Sequence, residues 1–395
     1  MHFSGHRRTV LPKEVGIIVR ATLRKIWSLS LKEFIHLRSD WWLPAFMVLG
    51  GALELLLIGW ATSRPITNLP LMVLDHDRSA ASRSFVVSLE NTGIFDMEAE
   101  VYDIDTIEVA LRLGDISAAV IIPPDFSSEL SSPAGRPTVA VLLNGAESTP
   151  ATAALRAIEG VTREMGDKIL VDRLGLKAEE FEGFIPSLRV WFNESLSEAL
   201  YTTPAELGLM LEFTVLLFAA LSFSRERELG TLEQLLVMPF STLEIVIGKS
   251  IPVILVGFID FVLMLGITHW AFGVPVRGSL SLLLILAFVY LLVELSKGLM
   301  ISVIAKTQHQ AFLLVLMVGM ADFMFTGYAA PVESMPQVIQ WVSNIIPAHH
   351  FLTIVRGILL KGTGMEVLWP NVLALIVLGL FIGGFSMRFV RRSLS

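Results

Sequence analysis

Two groups of residues in this chain have types and spacings that could do chemistry. One is Gly248-Lys249-Ser250, the usual ending of a phosphate-cradling loop. Such a loop needs a glycine five residues before the Gly-Lys pair, where a turn begins to aim backbone N–H groups at phosphate oxygens. That position is Leu243, and Glu244, Ile245, Val246 and Ile247 between them suit a helix or strand, so no nucleotide site is expected here. The other group is a set of ionisable side chains inside long apolar runs: Glu54, Glu212, Asp260, His269, Glu294, Lys297 and Asp322. A charge in hydrocarbon is costly unless paired or wet, so each invites a functional reading. Glu294 and Lys297, three apart on one helix face, can neutralise each other. Glu54, Glu212, Asp260 and Asp322 are candidates for a translocation path, for proton binding, or for hydrogen bonds between helices. Elsewhere, Asp75-His76-Asp77 reads as a solvated turn rather than a metal site, and His349-His350 as an anchor at an interface. No metal site is expected. Asn193-Glu194-Ser195 fits the glycosylation pattern, a short match that occurs often by chance. With no cysteine, disulfides, Cys-ligated zinc and thiol nucleophiles are excluded.

The elements that must position these residues follow from composition. The chain has 395 residues, 53% hydrophobic and only 17% charged, with a mean hydropathy of +0.67. Soluble domains carry roughly 25% charged residues, so the excess of apolar side chains, gathered in blocks, points to membrane spans. A bilayer core of about 30 Å needs about 20 helical residues. Six stretches qualify: 42–62, 205–223, 251–272, 279–304, 310–330 and 367–389. Eight basic side chains lie in residues 1–40, and Arg388, Arg391 and Arg392 in the tail. By the positive-inside rule both ends belong in the cytoplasm, as an even number of spans requires. Residues 1–41 then form a cytoplasmic N-terminus too charged for a signal peptide. Residues 63–204 lie outside, 224–248 inside, and 331–366 outside.

Within the N-terminus, residues 13–38 place Val15, Ile18, Val19, Leu23, Ile26 and Trp27 near one face and Arg20, Arg24 and Lys25 off it. This predicts an amphipathic helix on the membrane surface, or a helix packed on another domain. The insert predicts an α/β domain. LPLMVLD, FDMEAEVY, ISAAVIIP and PTVAVLLN read as strands, the second with Phe95, Met97, Ala99 and Val101 facing a core. A helix starts at Asp105 and stops at Gly114, and a longer one carries Leu155, Ile158, Val161, Met165 and Ile169 on one stripe.

The bend SFSRERELGTLEQLLVMPF interrupts two apolar runs with a cluster of charges. Gly230 allows a turn, Thr231 with Gln234 matches a capping-box spacing, Leu232, Leu235 and Leu236 form an apolar face, and Pro239 ends the helix. Arg225, Glu226, Arg227 and Glu228 are expected to pair with charges on a partner. A merely solvated loop does not explain the leucines.

RERELGTLEQLLVMPFSTLEIVIGK resembles the signature between spans two and three of ABC-2 type transporter permeases, the membrane subunits of one class of ABC exporters. TGYAAPVESMPQVIQWVSNIIPAHHFLTIVRGILLKG is similar to that family's segment after span five, with Pro331, Glu333, Met335, Pro336, Pro347 and Arg356 at the expected places. FGVPVRGSL, TQHQA, VLDHDRSAASRSF and IIPPDFS add to it, so the likeness covers essentially the whole chain; FTGYAAP departs where the family more usually has Ser-Gly with bulkier apolar residues.

The resemblance implies an α-helical polytopic membrane protein, with six transmembrane helices and an inserted extracytoplasmic α/β domain, in the bacterial inner membrane. It implies a docking site for a cytoplasmic ATP-binding subunit made of Arg225, Glu226, Arg227, Glu228, Gly230, Thr231, Glu233, Gln234, Leu235 and Pro239. It also implies a re-entrant outer segment whose Pro331, Pro336, Pro347 and Arg356 are candidates for a gate. This chain would bind no cofactor, ATP and magnesium belonging to the partner. Its partners would be two ATPase subunits, a second permease, identical or similar, and membrane lipids. As in the longer family branch, a periplasmic adaptor and an outer-membrane channel would join them. Nothing suggests nucleic acid. Two rival classes are a membrane-anchored sensor or scaffold, which needs no coupling motif, and a proton-coupled secondary transporter, which would commonly show an internal repeat.

Overall fold

Long apolar runs that cannot leave backbone groups unpaired in hydrocarbon must be helical, and in the computed structural model they are. It describes residues 12–63, 66–132, 135–146, 148–174, 192, 197–328 and 330–394. The glycosylation pattern at 193–195 falls outside them. The chain divides into two units, residues 1–63 with 190–395, and the insert 64–189.

The first unit opens with α1 (Pro12–Ser39) and α2 (Trp42–Ser63). In α1, Leu23, Trp27, Leu31 and Ile35 recur every four residues and are exposed, while Leu29 and Ser30 are buried on the opposite side. Ser30 Oγ donates to the Gly248 carbonyl at 2.9 Å. The helix therefore has two working faces. The expected single face merged Leu23 and Trp27 with the half-buried Ile26; the side chains of Val15, Ile18 and Val19 lie outside the described part.

In the insert the order is β1 (Leu69–Asp75), α3 (Ala80–Glu90), β2 (Phe95–Glu100), α4 (Ile104–Leu113), β3 (Ala118–Ile122), α5 (Phe126–Ser131), β4 (Ala140–Leu143) and α6 (Ser148–Leu174). The sheet runs β2-β1-β3-β4, parallel except for β4. Successive strand residues face opposite sides, and β1 is covered on both. Leu71 and Val73 meet Phe85, Leu89 and Ile158 on one face, and Leu74 meets Ile107 and Ile116 on the other. All four strands were legible, but three details differ. In β2 only Phe95 is buried and Met97 is exposed, because this is an edge strand. The N-cap of α4 is Asp103, whose Oδ1 accepts the Asp105 N–H at 3.3 Å, and Gly114 closes the helix at φ +81°. On α6 the buried stripe runs through Ala154, Ile158 and Val161, and Leu155 faces outward.

The first unit resumes with α7 (Glu198–Glu228), α8 (Leu232–Val237), α9 (Thr242–Phe272), α10 (Leu280–Ile304) and α11 (Gln308–Phe325). Then follow α12 (Gln337–Ser343), α13 (Pro347–Arg356) with one wide turn to Lys361, and α14 (Met365–Leu394). Six helices are long and apolar enough to cross a membrane: α2, α7, α9, α10, α11 and α14. Their centres match the expected spans, but several ends move. Helices α7 and α9 have 31 residues each, about 46 Å at 1.5 Å per residue, so both outrun the hydrocarbon. Their polar ends take in 224–228 and 242–248, which the sequence reading places in the cytoplasmic coupling segment rather than in the spans. Span five stops at Phe325, five residues early, where Gly327 turns the chain at φ +84°. Helices α12 and α13 meet at 86°.

Helix α7 is the post of this unit, touching α2, α9, α10, α11 and α13. Gly298 of α10 lets the α7 backbone come close: a Cβ there would sit 2.9 Å from the Leu216 carbonyl oxygen. Beside it Tyr290 stacks on Phe351 of α13, ring centroids 4.2 Å apart.

Candidate functional site

The charged bend is built by the ends of α7 and α9 and by α1. Glu226, on the last turn of α7, is buried, and its Oε1 lies 2.6 Å from Lys32 Nζ and 3.2 Å from Lys249 Nζ. Lys249 Nζ also reaches Glu33 Oε1 at 2.7 Å and donates to the Ser222 carbonyl. Two lysines and two glutamates thus close a joint between three helices. The phosphate-loop look-alike has a structural meaning here. A Cβ on Gly248 would lie 2.6 Å from the Leu29 Cβ, so glycine is what lets α1 dock, and Lys249 is the buried cation.

The neighbouring charges are also used within the chain. Arg225 pairs with Asp40, and Lys25 Nζ lies 3.7 Å from Glu244 Oε2. Arg227 donates to the Val303 and Ala305 carbonyls at 3.0 and 2.6 Å, at the C-terminal end of α10. Glu228 accepts the Gln308 N–H at 2.8 Å, the first residue of α11. Cations at helix C-termini and anions at N-termini complement the helix dipole, so this pair clasps the α10–α11 turn. The Arg-Glu-Arg-Glu run was expected to face a partner's charges; each member has a partner within the chain.

Gly230 turns the chain at φ +70°, a conformation that favours glycine. The expected capping box at Thr231 and Gln234 does not form. Thr231 Oγ1 donates to Glu226 Oε2 at 2.7 Å instead, drawn to a buried carboxylate. The box forms one helix later: Ser241 Oγ accepts the Glu244 N–H at 3.2 Å and Glu244 Oε2 the Ser241 N–H at 2.7 Å. Leu232 packs on the core, whereas Glu233, Gln234, Val237, Met238 and Pro239 are exposed. The Pro239 carbonyl accepts from Lys25 Nζ at 2.5 Å. The side chains of Leu235 and Leu236 lie outside the described part. A cavity of about 600 Å³ opens beside α8, lined by Lys32, Asp40, Arg225, Phe218 and Phe240 among others.

Deeper among the spans, Lys297 of α10 gathers the acids. Its Nζ lies 2.8 Å from Glu212 of α7, 2.8 Å from Glu294 one turn earlier and 2.7 Å from Asp322 of α11. The Glu294–Lys297 neutralisation holds, and Glu212 and Asp322 join it. Asp260 stands apart, accepting from Thr214 Oγ1 at 2.9 Å, and Glu54 is exposed on α2. Sequence reasoning missed Glu206, a buried acid on α7 that Tyr328 hydrogen-bonds. Burial, with the Glu206 carboxylate beside it, raises the Tyr328 phenol above its ordinary range. The missed signal was an acid just inside span two, two residues after Pro204.

Arg356, at the end of α13, donates from Nε to the Tyr201 carbonyl at 3.2 Å and from Nη1 to the Gly327 carbonyl at 3.0 Å. Its guanidinium lies 3.7 Å from the Tyr201 ring centroid. Pro347 is the buried first residue of α13, Pro336 caps α12, and Pro331 is exposed before it. His349 Nδ1 meets the Thr326 carbonyl at 3.1 Å, and His350 is held between Asn371 and the Asn344 carbonyl. In the insert, Asp75 accepts the Asp77 and Arg78 N–H groups and the Ser82 hydroxyl. Hydrogen bonds from Ser79 and Ser127 hold the Asp77 carboxyl below its usual range. Among the described residues, no three His, Asp or Glu converge as metal ligands would.

Comparison with known proteins agrees with this arrangement. The family described as ABC-2 family transporter protein matches residues 41–388. The "Probable multidrug ABC transporter permease YbhR" of Escherichia coli is 27% identical over 93% of this chain and 98% of its own. The "Inner membrane transport permease YhhJ" of the same organism is 27% identical over 90% and 94%. "ABC transporter G family member 20" of Dictyostelium discoideum is 23% identical over 94% of this chain and 51% of its own. With a six-span bundle and a match over nearly its whole length, the chain belongs to the ABC-2 transporter family and is a membrane permease subunit of an ABC transporter.

Proposed function

We propose that this permease moves an amphiphilic, drug-like or lipid-like substrate out across the bacterial inner membrane, driven by ATP hydrolysed with magnesium on a separate cytoplasmic subunit. The observation that carries the docking reading is at α8. Val237 is 86% exposed, the most of any large hydrophobic side chain among the described residues, and Glu233, Gln234 and Met238 flank it. An exposed apolar tip among polar groups is what a partner surface covers, and Gly230 with Thr231 ties α8 to the Glu226 joint beneath. With Arg20, Arg24 and the tail arginines on the cytoplasmic side, both termini and α8 face the ATPase, and residues 63–204 and 331–366 face outward. The exposed stripe of α1 then lies in the inner leaflet's lipids.

Six spans enclose no two-sided path alone, so the complex contains two permeases, identical or similar, and two ATPase subunits. The name of the Escherichia coli relative supports drug-like cargo. An outer domain of this size suits a periplasmic adaptor and an outer-membrane channel. The 86° corner of α12 and α13, clamped by Arg356, is the proposed exit gate. Arg356→Ala should impair export while the protein still elutes as a folded species; unchanged export would count against the gate.

The deciding experiment is purification from native membranes in mild detergent, with partners identified by mass spectrometry. An ATP-binding subunit should accompany the wild type and be lost from Glu233→Lys combined with Val237→Asp. Recovery of no such subunit, or equal recovery with the variant, would overturn the docking reading and favour a sensor or scaffold.

A further inference from the structure

The cluster around Lys297 does not balance. Three carboxylates, Glu212, Glu294 and Asp322, meet one ammonium, which leaves a formal excess of two negative charges. All four side chains are nearly or fully withdrawn from the surface, Glu294 being 0% and Glu212 1% exposed. A bare charge so placed costs several kcal/mol, so uncompensated excess charge does not persist there.

The groups around it offer no further cation. Helix α10 is packed by α7, α9, α11, α13 and α14. From α7 comes Glu212 and from α11 Asp322, while α10 itself adds Tyr290, whose hydroxyl donates to Glu212 Oε2 at 3.3 Å. On α9, Asp260 is engaged with Thr214. On α13 the neighbour of Tyr290 is the Phe351 ring, and His350 is occupied by Asn371 and Asn344. The ionisable residues of α14 (Glu366, Arg388, Arg391 and Arg392) sit at its two ends.

Two further observations point to what supplies the charge. Both oxygens of Glu294 are buried without a hydrogen-bond partner, although Oε2 lies 2.8 Å from Lys297 Nζ as an ion pair; Oε1 is bare altogether. Glu212 Oε1 and Asp322 Oδ2 both crowd onto Lys297 Nζ, at 2.8 and 2.7 Å, which makes the two carboxyls close neighbours. A proton taken up by one of them gives it an O–H that the other can accept.

We propose that Glu212, Glu294 and Asp322 form a proton-binding site built around Lys297, with one proton shared between Glu212 and Asp322 and the bare oxygen of Glu294 as a second acceptor. The site joins α7, α10 and α11, so its occupancy sets how tightly these three spans hold together. Parting α11 from α7 separates the two carboxyls and breaks the hydrogen bond they share. The inference does not rest on the exporter reading, and its test needs no transport assay.

The test is infrared difference spectroscopy of the full-length chain in lipid nanodiscs, comparing ordinary with heavy water in sodium-free neutral buffer. The site predicts a carbonyl-stretch component of a protonated carboxyl that shifts in heavy water. That component should lose intensity or shift in frequency in Asp322→Asn and in Glu212→Gln and stay as in the wild type in Glu54→Gln. Asp322→Asn retains an acceptor for Lys297, so it keeps the test open where Glu212→Gln fails to fold. A wild type with no exchangeable carboxyl component overturns the proposal without any variant. So does a component that is unchanged in either folded variant. If sodium chloride abolishes the component and choline chloride does not, an alkali ion fills the site and the assignment to a proton is overturned.

Discussion

Two buried ionic clusters in one bundle have opposite arithmetic. At the end of the spans, Lys32 and Lys249 meet Glu33 and Glu226, two against two, with Thr231 completing the set. Deeper in, Lys297 alone meets three acids. The balanced cluster needs nothing from outside and ties α1, α7 and α9 together as a fixed joint. The unbalanced one, also joining three helices, is two positive charges short. A buried ion pair at its centre therefore does not fix a cluster's role; the charge count separates a clasp from a binding site.

The largest effect should come from removing the single cation of the unbalanced cluster. Lys297→Met leaves three acids facing one another, and breaking a buried pair from one side costs about 3–5 kcal/mol. The protein should aggregate at lower temperature in detergent, followed by size-exclusion after heating; an unchanged profile would mean the cluster is not held together by this lysine. The balanced joint should show coupling of a smaller size. Glu226→Gln, Lys249→Met and the double variant should give an interaction energy of about 0.5–3 kcal/mol in a double-mutant cycle, read from the same heating series. Additive losses would dissolve the joint into independent contacts. The smallest effect is expected at Gly248→Ala. Alanine favours a helix interior by about 1 kcal/mol, but its Cβ would collide with Leu29, and overpacking costs about 1–3 kcal/mol. Faster protease cleavage of α1, with the bundle intact, would show that the joint depends on this close approach.

Much of the fold was legible because run length and apolar content decide a span locally. The six centres, the four strands and Gly114 as a stop all depend on residues near one another in sequence. The ends of α7 and α9 were illegible for the same reason. A helix that leaves the hydrocarbon turns polar, and nothing near 224–228 or 242–248 in sequence marks them as continuations of the spans until α1 is seen against them. Both clusters depend on partners far apart, Lys297 with Glu212 at a separation of 85 residues and Lys249 with Glu33 at 216. No periodicity reports that. The Arg-Glu-Arg-Glu run shows the limit most plainly. Its charges were visible, but the helix termini they clasp, at Ala305 and Gln308, could be assigned only once the α10–α11 turn was placed.

The position of α7 has a consequence for how this sequence can vary. Nearly every residue from Thr203 to Ala220 is buried, and the helix has neighbours on all sides. By contrast α14 turns Leu373, Val377, Leu380 and Phe381 outward. A side chain on this stripe of α14 can be exchanged for another apolar one at little cost within the chain, because no described residue stands in front of it. On α7 an added methylene meets protein in whichever direction it points. Drift should therefore be slow along α7 and fast along the outer stripe of α14, and a library of random substitutions would recover that contrast as two very different tolerances within a single chain.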